Sequence, residues 1–144
     1  MNETVIHRRV AACRAGTEPT LVARMTSGWV VLGDPQVLRG YCLLLPDPVV
    51  PHLNAMTPVA QQAFLTDMAR LGDALQRVTR PVRINYAIFG NVEPALHAHV
   101  FPRHADEPAH LATANPWGHD WSAAPRFDAT RDAGLIDEIR QALL

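Results

Sequence analysis

Apolar positions change their period several times along the chain, and each change marks an element. In residues 3–14, Val5, Ile6, Val10 and Cys13 fall near helical spacing, which predicts a short helix. LVARM (21–25) and GWVVLG (28–33) are short β-forming runs on either side of Thr26-Ser27-Gly28 and predict a hairpin. A turn segment, DPQVLRG (34–40), leads into YCLLLP (41–46), an apolar run suited to a buried strand. Pro46, Pro48 and Pro51 make PDPVVPHLNAM (46–56) a loop, because each would interrupt a regular element.

The clearest element follows. Thr57 can cap a helix with Pro58 in its first position, where a missing N–H costs nothing. Phe64, Met68, Leu71, Leu75 and Val78 then recur at steps of four and three, forming one apolar stripe that ends before Pro81. VRINYAIFG (82–90) has strand composition, and so does ALHAHVF (95–101). From 102 to about 128 the chain is rich in Pro, Ala, His and Trp without any period, the mark of a long functional loop. Leu135, Ile136, Ile139 and Leu143 then share one side of a closing helix over 132–144. This order predicts an α+β fold: an antiparallel sheet of about five strands, one long helix and a C-terminal helix, with the helices on one face.

Composition narrows the picture. The 144 residues suit one domain over 1–144, with a core over about 20–118 and an irregular and helical tail over 105–144. A net charge of −1 provides no basic field for nucleic acid or an anionic membrane. Cys13 and Cys42 are expected to be reduced thiols. The N-terminus lacks the apolar run of a secretory signal, and no stretch approaches a membrane span. The expected location is the cytoplasm.

The chemistry concentrates in ALHAHVFPRH (95–104). On a strand, side chains alternate faces, so His97 and His99 point the same way, in one row with Ala95 and Phe101. Leu96, Ala98 and Val100 face the opposite side, toward the long helix. Paired imidazoles can ligate a metal if other ligands join them. They can also act as acid and base near neutrality, or one can attack phosphorus or an acyl carbon while the other manages a proton.

The wider context selects among these. The sequence LNAMTP before the long helix, followed by INYAIFGNVEPALHAHVFPRH, resembles the histidine triad (HIT) family of nucleotide hydrolases and transferases. The family motif H-φ-H-φ-H-φ-φ reads here Ala95-Leu96-His97-Ala98-His99-Val100-Phe101, then Pro102-Arg103, and the resemblance covers roughly residues 20–118. It implies His97 as the nucleophile toward phosphorus and His99 as its phosphate and leaving-group partner. It implies Asn85, Asn91 and Asp34 as substrate-binding residues, with Asp34 on the ribose hydroxyls. It further implies a small-molecule nucleotide substrate, such as a dinucleoside polyphosphate or an adenylylated small molecule, a homodimer, and no metal or other cofactor. Two positions depart from the pattern. Ala95 stands where the family has its first histidine, and its side chain can neither donate nor accept. Tyr41 stands where many members have an upstream histidine.

Two rival readings remain. One is a nucleotide-binding protein that kept the pocket and lost useful catalysis. The other is a metal site built from His97 and His99 with His104 or His110. Arg103 is expected to be a structural ion-pair partner, and Trp117 and Trp121 are expected to pin the tail or to form a lid.

Overall fold

Thr4 starts the first helix. In the computed structural model, which describes residues 1–144, the Thr4 side chain accepts from the His7 amide while the His7 ring bonds back to the Thr4 amide. This capping box satisfies two of the donors that every helix start leaves unpaired. The helix, α1, runs Val5–Ala15 and ends at Gly16 in the left-handed conformation (φ 73°).

The hairpin follows as β1 (Leu21–Met25) and β2 (Gly28–Leu32), then β3 (Cys42–Pro46). Helix α2 spans Pro58–Thr79; the Thr57 hydroxyl accepts from the Ala60 amide, and the helix closes at Arg80, φ 50°, just before Pro81. Strands β4 (Arg83–Ala87) and β5 (Ala98–Arg103) complete the sheet, and α3 (Ala129–Ala142), capped by Asp128, closes the chain. All four strand pairings are antiparallel, in the order β1-β2-β3-β5-β4. No helix is long and apolar enough to cross a membrane.

The α+β architecture agrees with the sequence reading, and the differences are local. The histidine strand begins at Ala98 rather than 95 and runs on to Arg103. Its ladder with β3 stops at Leu44↔Ala98, and the Leu96 amide turns instead to the Val50 carbonyl in the proline-rich loop. Helices α2 and α3 pack on one face of the sheet, where Phe64, Leu71, Leu75 and Ile139 meet Leu96, Ala98 and Val100. Helix α1 packs on the other face, where Ile6, Val10 and Cys13 meet Leu43, Tyr41, Ala95 and Phe101. The expectation of helices on one face therefore fails for α1. That second layer buries the row carrying the histidines, so the site has a packed floor.

Candidate active site

β5 lies between β3 and β4, with His99 opposite Leu43 on one side and Ala87 on the other. Held from both sides, its side chains have little freedom. His97, just before β5, and His99 on it lie on one side of the sheet, their ring centroids 5.0 Å apart and edge to face. Both line a cavity of about 470 Å³ together with Phe89, Gly90, Asn91, Val92, Glu93, Asn115 and Trp117.

His97 is 8% exposed, and its Nδ1 donates to the Ala95 carbonyl at 2.7 Å. A carbonyl only accepts, so Nδ1 carries a proton, and in the neutral ring the lone pair lies on Nε2. That lone pair is not sealed in, because no buried side-chain polar atom in the chain lacks a partner. Nε2 therefore opens onto the cavity. His99 pairs through Nδ1 with the Tyr41 hydroxyl at 2.7 Å. Burial, and secondarily the proximity of His97, lowers the His99 pKa to about 4, so this imidazole is neutral at pH 7.

The cavity wall comes from two loops. Gly90, at φ 81°, turns the β4–β5 connection in a conformation suited to glycine. The amides of Gly90, Asn91 and Val92 have no backbone partner, and the three residues border the cavity. The second loop carries Asn115, whose side chain caps a short 3-10 turn (Pro116–Gly118), and Trp117 on that turn. The Trp117 ring meets His99 edge-on at 5.1 Å and Phe89 at 5.2 Å, and stacks on Trp121.

Arg103 holds this second loop in place. It is 5% exposed, pairs with Glu107 at 2.8 Å, and donates to the Leu111 and Ala114 carbonyls at 2.9 and 2.6 Å. His119 adds a bond to the same carboxylate. Burial pushes the Glu107 pKa up, but the Arg103, His104 and His119 bonds together outweigh it and hold the pKa below the usual carboxylate value.

Of the residues named from sequence, His97, His99 and Asn91 come together at the cavity. Asn85 and Asp34 do not. The Asn85 side chain accepts from Arg103 at 2.9 Å and serves the loop anchor. Asp34 accepts from the Phe127 amide at 3.0 Å and from Arg126 at 3.1 Å, tying the C-terminal segment to the β2–β3 turn. The sequence reading does not name Phe89, Glu93 or Asn115, which also line the cavity. The signal within reach was the position of 89–93 between two strands, where a short loop must border the histidine row; nothing local to Asn115 marked it. His104 bonds the Arg39 carbonyl through Nε2. No group of three His, Cys, Asp or Glu side chains gathers to hold a metal ion.

Comparison with known proteins fits this geometry. The HIT domain family model matches residues 29–106. A histidine triad protein from Bradyrhizobium japonicum superposes with a TM-score of 0.74 at 22% identity, over 90% of this chain and 96% of its own. A histidine triad protein from Marinobacter aquaeolei VT8 gives 0.75 at 19% identity, over 99% and 97%. A hypothetical histidine triad nucleotide-binding protein from Sulfolobus tokodaii gives 0.73 at 12% identity, over 94% and 91%. At these identities the likeness concerns the fold. No curated protein matches the chain by sequence.

Proposed function

The chain belongs to the HIT family, and from that premise we propose that it is a nucleotide hydrolase or nucleotidyl transferase that works through a covalent nucleotidyl-histidine on His97. The observation that carries this reading is the Nδ1–H bond from His97 to the Ala95 carbonyl, which in the neutral ring puts the lone pair on Nε2, on the cavity side. An imidazole held in this tautomer needs no base to activate it.

In the proposed reaction His97 Nε2 attacks the α-phosphorus in line with the leaving group. The N–P bond forms as the bond from phosphorus to the leaving atom breaks, and the leaving group departs with the bonding pair. Water then attacks the same phosphorus, the N–P bonding pair returns to Nε2, the water's proton passes to solvent, and the nucleoside monophosphate leaves with free His97. Charge on the phosphoryl oxygens falls to His99 and to the open amides of the Gly90–Val92 loop, and donors that are already oriented supply much of the rate. Asn91 and Asn115 offer side-chain amides at the rim.

The second reading, nucleotide binding without useful turnover, draws support from Ala95. It is fully buried in the apolar layer under α1, so nothing polar stands at the first triad position. One experiment separates the two. The protein is offered a panel of dinucleoside polyphosphates, nucleoside phosphoramidates and aminoacyl nucleotides, with turnover and intact mass as readouts. The enzyme reading requires turnover, with a nucleotidyl adduct trapped in wild type and lost in His97→Ala, which still binds the monophosphate product. Binding with neither adduct nor turnover selects the second reading.

We also propose a homodimer formed through the open edge of the sheet at β4, which carries the exposed Tyr86. Light scattering at micromolar concentration should give twice the 15.9 kDa chain mass, and a monomer would remove this proposal.

A further inference from the structure

We propose that Tyr41 is a positioning residue of this site: its hydroxyl donates to Nδ1 of His99 and so holds His99 in the tautomer that presents Nε2–H to the cavity. The effect on rate rests on the nucleotidyl-transfer reading above. The assignment of the tautomer rests on the hydrogen-bond geometry and does not depend on that reading.

Tyr41 is held on every side. It is 3% exposed, with its ring stacked on Phe101 at 4.2 Å and met edge-on by Trp121 at 5.7 Å. Gly33 makes room for it, since a Cβ there would lie 2.1 Å from a ring carbon. The Gly33 amide bonds the Tyr41 carbonyl at 2.8 Å. Buried Gln36 then ties the turn together, donating to the Gly33 and Tyr41 carbonyls and accepting from the Gly40 amide. The GDPQVLRGY turn thus fixes a phenol whose hydroxyl cannot swing away.

The direction of the Tyr41–His99 bond follows from counting donors. The Tyr41 oxygen has one partner in the chain, His99 Nδ1. Were Nδ1 protonated, it would donate to that oxygen, and the buried hydroxyl proton would have no acceptor. Buried donors are seldom left so. With the phenol donating, both the hydroxyl and Nδ1 are satisfied. Burial also pushes the Tyr41 pKa up, so the phenol keeps its proton, and His99 is neutral at pH 7 and able to accept. The two histidines then hold opposite tautomers. His97 shows a lone pair at Nε2 to attack phosphorus, and His99 shows an N–H at Nε2 to receive a phosphoryl oxygen or the leaving atom. Two identical side chains acquire different jobs from a carbonyl under one and a phenol under the other.

The test is Tyr41→Phe, which keeps the ring packing, read first by ¹⁵N NMR of the histidine rings in the full-length protein at pH 7. Wild type should show His99 with unprotonated Nδ1 and protonated Nε2, and His97 reversed. In Tyr41→Phe the two His99 nitrogens should average toward each other. The His99 titration should also move up, because the neutral ring has lost a donor. On the best substrate of the panel, kcat should fall about tenfold with KM little changed, short of the about 100- to 1,000-fold that loss of a whole oxyanion donor costs. A proton on Nδ1 of wild-type His99, or wild-type ring shifts in the variant, would overturn the proposal. If no nucleotide is turned over, the functional reading fails, while the ring shifts still decide the role of Tyr41.

Discussion

His97 donates its Nδ1 proton to the carbonyl of Ala95, 2.7 Å away and two residues back along the chain. The residue at the first triad position therefore supports the proposed nucleophile through its backbone, which any side chain at position 95 would also supply. What the alanine removes is side-chain chemistry, and what it adds is packing, since it is fully buried beside α1.

That packing makes restoration of the missing histidine costly. Ala95→His must fit an imidazole into a closed apolar layer, and overpacking of this kind costs about 1–3 kcal/mol. The expected result is a lower melting temperature, by several degrees at about 2–4 °C per kcal/mol, and no gain in turnover. A variant as stable as wild type and faster would show that the layer has room and that the first position still counts.

Acid should weaken the fold in two separate windows. The folded-state pKa of His99 is depressed from 6.5 to about 4, so the unfolded chain takes up the proton first as pH falls. Stability from this residue is full above about 6.5, declines toward about 4 and levels off below. Asp47 is lowered from 3.8 to about 2, chiefly by its bond from Arg14, which outweighs burial, helped by Trp29. Its contribution is present above about 3.8 and is lost as pH falls through about 2. Urea midpoints from pH 7 to 2 should show His99→Gln flattening only the upper window and Asp47→Asn only the lower. An unchanged upper slope in His99→Gln would refute the assignment.

Arg103 should matter to the cavity without touching its contents. Removing one partner of a buried ion pair costs about 3–5 kcal/mol, and Arg103→Met also releases the carbonyls of Leu111 and Ala114. The expected outcome is a marked loss of stability, with new protease cleavage within 104–119 and altered Trp117 fluorescence. Arg103→Met combined with Glu107→Leu should recover part of the stability, because no charge is left stranded. Equal stability of the single and double variants would contradict this account.

The charge of the site limits what it should accept. The chain has no lysine, no arginine lines the cavity, and Glu93 adds a carboxylate to the wall. A substrate with one phosphate charge can be met by His99 and the loop amides, whereas a tetraphosphate bridge brings further charges without partners. The ratio kcat/KM should therefore favour mononucleoside phosphoramidates or esters over dinucleoside tetraphosphates by about tenfold or more, roughly 1.4 kcal/mol per tenfold. Glu93→Gln should narrow that gap. Preference for the tetraphosphate would mean that cations reach it from outside the cavity lining described.

Much of this protein is decided locally and could be read from the chain. Thr57-Pro58 starts α2, the apolar stripe from Phe64 to Leu75 turns it to the core, and alternation puts His97 and His99 on one face with Leu96, Ala98 and Val100 on the other. Each depends on residues within a few positions, where propensity and period act directly. Other features needed the tertiary fold, because contact between distant segments creates them. Asn85 and Asp34 had side chains suited to a substrate, and the fold spends them on Arg103 and on the C-terminal segment. Asn115 carried no local mark and Trp117 only that of an aromatic in an irregular segment, and a buried guanidinium on β5 brings them to the cavity rim. Tyr41 and His99 stand 58 residues apart. Their bond exists only because β3 and β5 pair in one register, and sequence patterning encodes the faces of strands but not which strands become neighbours.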